Sequence, residues 1–72
     1  MEPAEIARLQ AYFRKKFGAN TLSVRPRGRI RDSAEVYLGD EHIGVISRDD
    51  EDGEVSYDFH MAILDMDLED IA

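Results

Sequence analysis

Apolar and polar positions in this chain follow two rhythms. Between Pro3 and Phe17 the apolar residues Ile6, Leu9, Phe13 and Phe17 recur at steps of three, four and four, with Tyr12 beside them. That spacing lines one face of a helix. Pro3 suits the first turn, where its missing N–H would have had no partner. Glu2 and Glu5 lie near the positive end of the helix dipole, and Arg14, Lys15 and Lys16 near its negative end. Gly18 supplies a left-handed stop. The pattern predicts a helix over 3–17.

Beyond Ala19-Asn20 the period falls to two. Leu22 and Val24 alternate with Thr21, Ser23 and Arg25. Ala34, Val36 and Leu38 share a face, as do Ile43 and Val45. Val55, Tyr57, Phe59, Met61 and Ile63 alternate with Ser56, Asp58, His60, Ala62 and Leu64. Strands are therefore predicted over 21–25, 33–38, 42–48 and 54–64.

Turn length sets register, and a one-residue slip reverses every side chain. A turn at Asp40-Glu41 pairs Leu38 with Ile43 and Val36 with Val45. A three-residue loop inside Asp50–Glu54, with Gly53 left-handed, sets Val45 opposite Phe59 and Ile43 opposite Met61. A two-residue Asp52-Gly53 loop would instead set Gly44 opposite Met61 and Arg48 opposite Tyr57. The first is preferred because it matches apolar to apolar. The expected fold class is α+β: one domain over 1–72, with a helix covering one face of a four-stranded antiparallel meander (α-β-β-β-β). The end, Asp65–Ala72, is an acidic and apolar tail. Leu64, Leu68 and Ile71 have helical spacing, but the segment is short for a helix standing alone.

In this register the outer sheet face carries Tyr37, Ile46, His60, Ala62 and Leu64. Tyr37 and His60 are expected to close over Gly44. An apolar patch rimmed by charge is a candidate partner surface, and an edge strand offers a second route, by strand addition.

The chain has 72 residues, 43% apolar and 35% charged, the mix of a globular domain. Its longest apolar runs are four residues, such as Met61–Leu64, where a membrane span needs about 20. An acidic N-terminus with no apolar stretch after it gives no secretory signal, so a cytoplasmic protein is expected. The absence of cysteine excludes disulfides, thiolate metal sites and cysteine nucleophiles. A chain this short has little core and no staple, so a partner or self-association would be useful.

Charge changes the picture further. The formal net charge is −7, but residues 1–31 carry +6 and residues 32–72 carry −13. Such asymmetry suits either a docking surface or internal pairing between basic and acidic segments.

The basic half ends in Arg25-Pro26-Arg27-Gly28-Arg29-Ile30-Arg31. In an extended backbone the four arginines point to one side. Guanidinium groups in a row suit phosphates. Pro26-Arg27-Gly28-Arg29 resembles the AT-hook, an extended peptide that reads the narrow minor groove of A/T-rich DNA. Ile30 stands where the hook has a second proline, and the −13 remainder repels DNA. The other reading is an exposed connection between the first two strands, paired with Asp49–Asp52. Arg14, Lys15 and Lys16 would add phosphate contacts to a nucleic-acid surface.

Other candidates are weaker. The loop Asp49–Glu54 fails as an EF-hand, because Gly53 at the sixth position puts Arg48 first and Phe59 twelfth, where oxygen ligands are required. His42 and His60 share the predicted outer face with Asp58, without a third ligand at a recognised metal spacing. No nucleophile elbow, phosphate loop or dinucleotide fingerprint is present. No enzyme activity, cofactor or metal is expected.

The segments Glu5–Tyr12, Lys16-Phe17-Gly18, Asp32–Tyr37, Ile43-Gly44-Val45, Asp49–Glu54 and Met61–Asp65 resemble, in order, an uncharacterised family of short alphaproteobacterial proteins, a domain of unknown function. That resemblance implies a free-standing small cytoplasmic protein and no assigned activity. The expectation is a small interaction module. It binds a protein partner or itself through the outer face and basic segment, with the acidic tail as a further part of the contact surface; the alternative is nucleic acid through Arg25, Arg27, Arg29 and Arg31.

Overall fold

The computed structural model describes residues 1–51, 53–69 and 71. The predicted helix is α1, Pro3–Phe17. Gly18 ends it at φ 61°, and its N–H donates to the Arg14 carbonyl. The strands are β1 (Leu22–Arg27), β2 (Ile30–Leu38), β3 (Glu41–Asp49) and β4 (Ser56–His60). They pair in the order β1-β2-β3-β4, each antiparallel to its neighbour. A short helix, α2 (Asp65–Glu69), follows. The fold is α+β, a helix on a four-stranded meander.

Leu9 and Phe13 bring α1 onto the inner face, where they meet Leu22, Val24, Ala34, Val36 and Ile46 in one buried cluster. Phe59 reaches across from β4 to Phe13, with ring centroids 5.5 Å apart. Phe17, at the end of the predicted stripe, is 56% exposed. It stacks on Phe13 at 5.6 Å and covers only one edge of the core.

The register differs from the predicted one at both turns. Leu38 pairs with Glu41, so the β2–β3 turn is Gly39-Asp40, and a bulge between Val36 and Tyr37 sets Val36 opposite Gly44. On the next strand Ile46 pairs with Phe59 and Arg48 with Tyr57. This is the register of the shorter Asp52-Gly53 loop; Asp52 itself lies outside the described residues. Two consequences follow. Ile46 turns inward and is 0% exposed, while Val45 turns outward opposite His60. Gly44 also turns inward, under the Phe59 ring, and Tyr37 and His60 do not close over it. Tyr37 instead meets His42 edge-on at 5.3 Å.

Strand β4 is also shorter than the predicted 54–64. Met61 to Leu64 leave the sheet, and each is exposed. A globule of this length has a radius of gyration of about 11 Å, whereas this chain reaches 13.4 Å. The C-terminal segment stands away from the body.

Candidate functional site

The outer face does not form the apolar patch that alternation predicts. Its rows read Ser23-Tyr37-His42, Arg25-Glu35-Val45-His60 and Ser33-Ser47-Asp58. Ile46 is absent from it because the register buries that side chain. Ala62 and Leu64 lie beyond the last strand. What remains is a polar, solvated face, as antiparallel sheets commonly have. Of the predicted patch only Tyr37 and His60 are on this face. His42 sits 3.9 Å from Glu35 rather than beside Asp58. Among the described residues, no group of three His, Asp or Glu side chains could hold a metal ion.

The four arginines do not form one row: Arg25 and Arg27 stay on the outer face, and Arg29 and Arg31 border a depression elsewhere. The segment is not a loop: β1 runs to Arg27 and β2 starts at Ile30, leaving Gly28-Arg29 as the turn. A bulge between Pro26 and Arg27 breaks the alternation that would align them. Arg25 lies over the Tyr37 ring at 4.0 Å. Arg27 donates to the hydroxyl of buried Ser33 at 3.3 Å. Arg29 and Arg31 border an open depression beside Met1, whose ammonium group donates to the Arg31 carbonyl. Among the described residues none of the four pairs with the acidic loop; Asp50 lies 3.8 Å from Arg48 instead. Arg14 is also engaged, its Nε donating to the Leu22 carbonyl at 2.7 Å. Lys15 and Lys16 are exposed.

That Arg14 bond belongs to a larger device. Leu22, Val24 and Pro26 alternate along β1 and turn their backbone groups away from β2. Arg14 takes the Leu22 carbonyl, Gln10 accepts the Val24 N–H at 3.1 Å, and Pro26 has no N–H to offer. The helix thereby closes one edge of the sheet against strand addition. Edge strand β4 has no such cover among the described residues.

Where α1 crosses toward β4, a second cluster forms. The Glu5 carboxylate accepts the Glu2 N–H at 3.4 Å and the Tyr57 hydroxyl, and stands 3.3 Å from Arg48 Nε. Arg48 Nε is buried without an aligned acceptor, so that contact is electrostatic. The Tyr57 hydrogen bond, aided by the Arg48 charge, holds the Glu5 carboxyl below its ordinary range despite burial. The same bond pushes the Tyr57 hydroxyl up. Sequence suggests no perturbed carboxylate, because Glu5 and Tyr57 are 52 residues apart.

The sign of each shift gives a prediction. A lowered Glu5 value contributes stability that is present above the ordinary 4.5 and lost as pH falls through the folded value. A raised Tyr57 value contributes stability that is present below 10.0 and lost as pH rises through the folded value. Tyr57→Phe should cost about 1 kcal/mol near neutral pH. Its deficit should shrink both below 4.5 and above 10.0, as read from urea unfolding across pH.

Beside this cluster, Leu9, Tyr12, Phe13, Tyr57 and Phe59 line an apolar groove of about 370 Å³ with Glu5 and Arg8 at its rim. The other apolar surface is the C-terminal row: Met61, Ile63, Leu64, Met66, Leu68 and Ile71 are 50–73% exposed. One turn is fixed locally, since Asp67 Oδ2 accepts the Leu64 N–H at 2.9 Å and Asp67 N–H donates to the Leu64 carbonyl at 2.9 Å. Of the predicted contact residues, Leu64 belongs to this row and Ala62 lies within it. Met66, Leu68 and Ile71 belong to the tail that the sequence also offers as contact surface, and Met61 and Ile63 are additions. The signal for them was available: residues 61–64 are apolar on both parities, which a half-solvated strand does not allow.

No described helix is long and apolar enough to cross a membrane. No curated protein and no solved structure matches the chain. A family model described as Protein of unknown function (DUF3126) matches residues 5–67, and the chain belongs to that family.

Proposed function

We propose that this chain is a small non-enzymatic protein-binding module whose contact surface is the C-terminal apolar row. The exposure of six large apolar side chains between Met61 and Ile71 carries the reading. Concentrated apolar surface of this kind, rimmed by charge, marks protein contacts more often than solvent-facing structure. Asp65, Asp67 and Glu69 supply the rim. The open β4 edge lies immediately before the row and extends the surface. Nucleic-acid binding is the second reading of the basic segment. Its row of four is divided: Arg25 and Arg27 lie against Tyr37 and Ser33 on the outer face, and Arg29 and Arg31 border the depression beside Met1.

A photo-crosslinking residue at Leu68 tests the proposal inside cells. A defined protein adduct, lost on Met66→Asp, is the expected result. Absence of any protein adduct overturns it. Retention on a nucleic-acid column that declines steeply with salt and is abolished by replacing Arg25, Arg27, Arg29 and Arg31 would favour the second reading.

A further inference from the structure

We infer that the occupant of the groove between α1 and β4 is the C-terminal segment of a second copy of this chain, exchanged reciprocally. This rests on the proposed binding role of the tail and names its partner. Two surfaces of one chain complement each other, and neither is covered by the chain's own described residues.

The first is the groove, whose floor is Leu9, Phe13 and Phe59 and whose rim is Tyr12, 57% exposed. Glu5, Arg8 and Tyr12 border it from α1, and Lys15 borders an adjoining depression that shares Tyr12. Lys16 stands next to them.

The second surface is the tail. Leu64, Leu68 and Ile71 are spaced four and three apart, and Asp65 and Glu69 form the neighbouring stripe one turn apart. An apolar ridge flanked by carboxylates thus complements an apolar trough with Arg8 at its rim and Lys15 and Lys16 just beyond Tyr12; the one carboxylate of that rim, Glu5, is already held by Tyr57 and Arg48. Among the described residues the ridge borders a depression beside Leu38 and Ile43, and it stays more than half exposed. The chain carries −7 overall, so two copies repel at long range. The contact proposed here places acid against base locally. Reciprocal exchange uses both tails and both grooves and closes as a two-fold dimer.

Charge reversal tests this without touching the core. Sedimentation across a concentration series should give wild type a mass of twice 8.2 kDa. Lys15→Glu/Lys16→Glu makes the helix end beside the groove acidic, like the tail. Asp65→Lys/Glu69→Lys makes the stripe beside the apolar ridge basic, like that helix end. Each variant alone should associate at least about tenfold more weakly. An equimolar mixture should recover the wild-type mass, because both contacts of the mixed pair are then complementary. Leu68→Asp should dissociate the dimer and not be rescued by either variant. Circular dichroism of each variant reports whether the fold is kept.

A monomer at every concentration overturns the inference. So does a dimer indifferent to both reversals, which would place the contact elsewhere, such as the β4 edge. Crosslinking of Leu68 in cells to a different protein, with the purified chain monomeric, rejects the second copy as occupant and leaves the proposed binding role standing.

Discussion

Ile46→Ala lowers the stability of this protein by about 3 kcal/mol. The side chain is 0% exposed, set between Ala34 on β2 and Phe59 on β4. Removing three carbons leaves a hole that only the sheet's own strands could fill, and their ladder prevents collapse. For a chain of this size, 3 kcal/mol is a large share of a total that is typically about 5–15 kcal/mol. The measurement is a urea midpoint at unchanged slope. The register in which Ile46 faces outward predicts a change of under about 0.5 kcal/mol, so one variant separates the two arrangements. Ile63→Ala is the control: the residue is 63% exposed and its loss should fall within about 0.5 kcal/mol. Ile46→Asp would bury an unpaired carboxylate and should abolish cooperative unfolding.

Why alternation misplaces Ile46 is itself informative. Ile43-Gly44-Val45-Ile46 is apolar on both parities, so hydrophobicity alone does not choose a face. Turn chemistry decides it, and both turns have two workable lengths. Gly39-Asp40 rather than Asp40-Glu41 closes the second hairpin, and a bulge after Val36 absorbs the remaining residue. A bulge has no signature in a single strand's pattern, because it is set by the partner strand.

The helix shows the opposite case. Its stripe, proline start, charged ends and glycine stop all act within a few residues, and α1 runs over the predicted span. The candidate site divides along the same line. The tail's apolar spacing is local and legible. The groove is not, because it joins Arg8 and Tyr12 to Tyr57 and Phe59 through the register of β4 against β3. The arginine row divides for the same reason: alternation is local, but the bulge after Pro26, which parts Arg25 and Arg27 from Arg29 and Arg31, is not.

Gly44→Ala should cost about 2–3 kcal/mol, although replacing an unobstructed strand glycine by alanine is neutral or favourable. The sign is settled by what a methyl group would meet. A Cβ at residue 44 would lie 2.5 Å from the His60 carbonyl oxygen and 2.5 Å from Phe59 Cε1. The ring can rotate aside only by leaving Phe13, and the carbonyl cannot move without the strand. Phe59→Leu in the Gly44→Ala background should therefore recover part of the loss and not all of it, a non-additivity of the kind expected for residues in contact. The backbone clash adds a local effect to the global one. Strand β4 ends at His60, and the exposed row begins at Met61. Pushing His60 outward should loosen β4 before the rest of the sheet, so amide exchange should accelerate first in 56–60 and later in β1 and β2. Uniform acceleration across all four strands would mean that Gly44 serves the core alone. Selective loosening of β4 would make this close approach the joint that holds the base of the apolar row against the body.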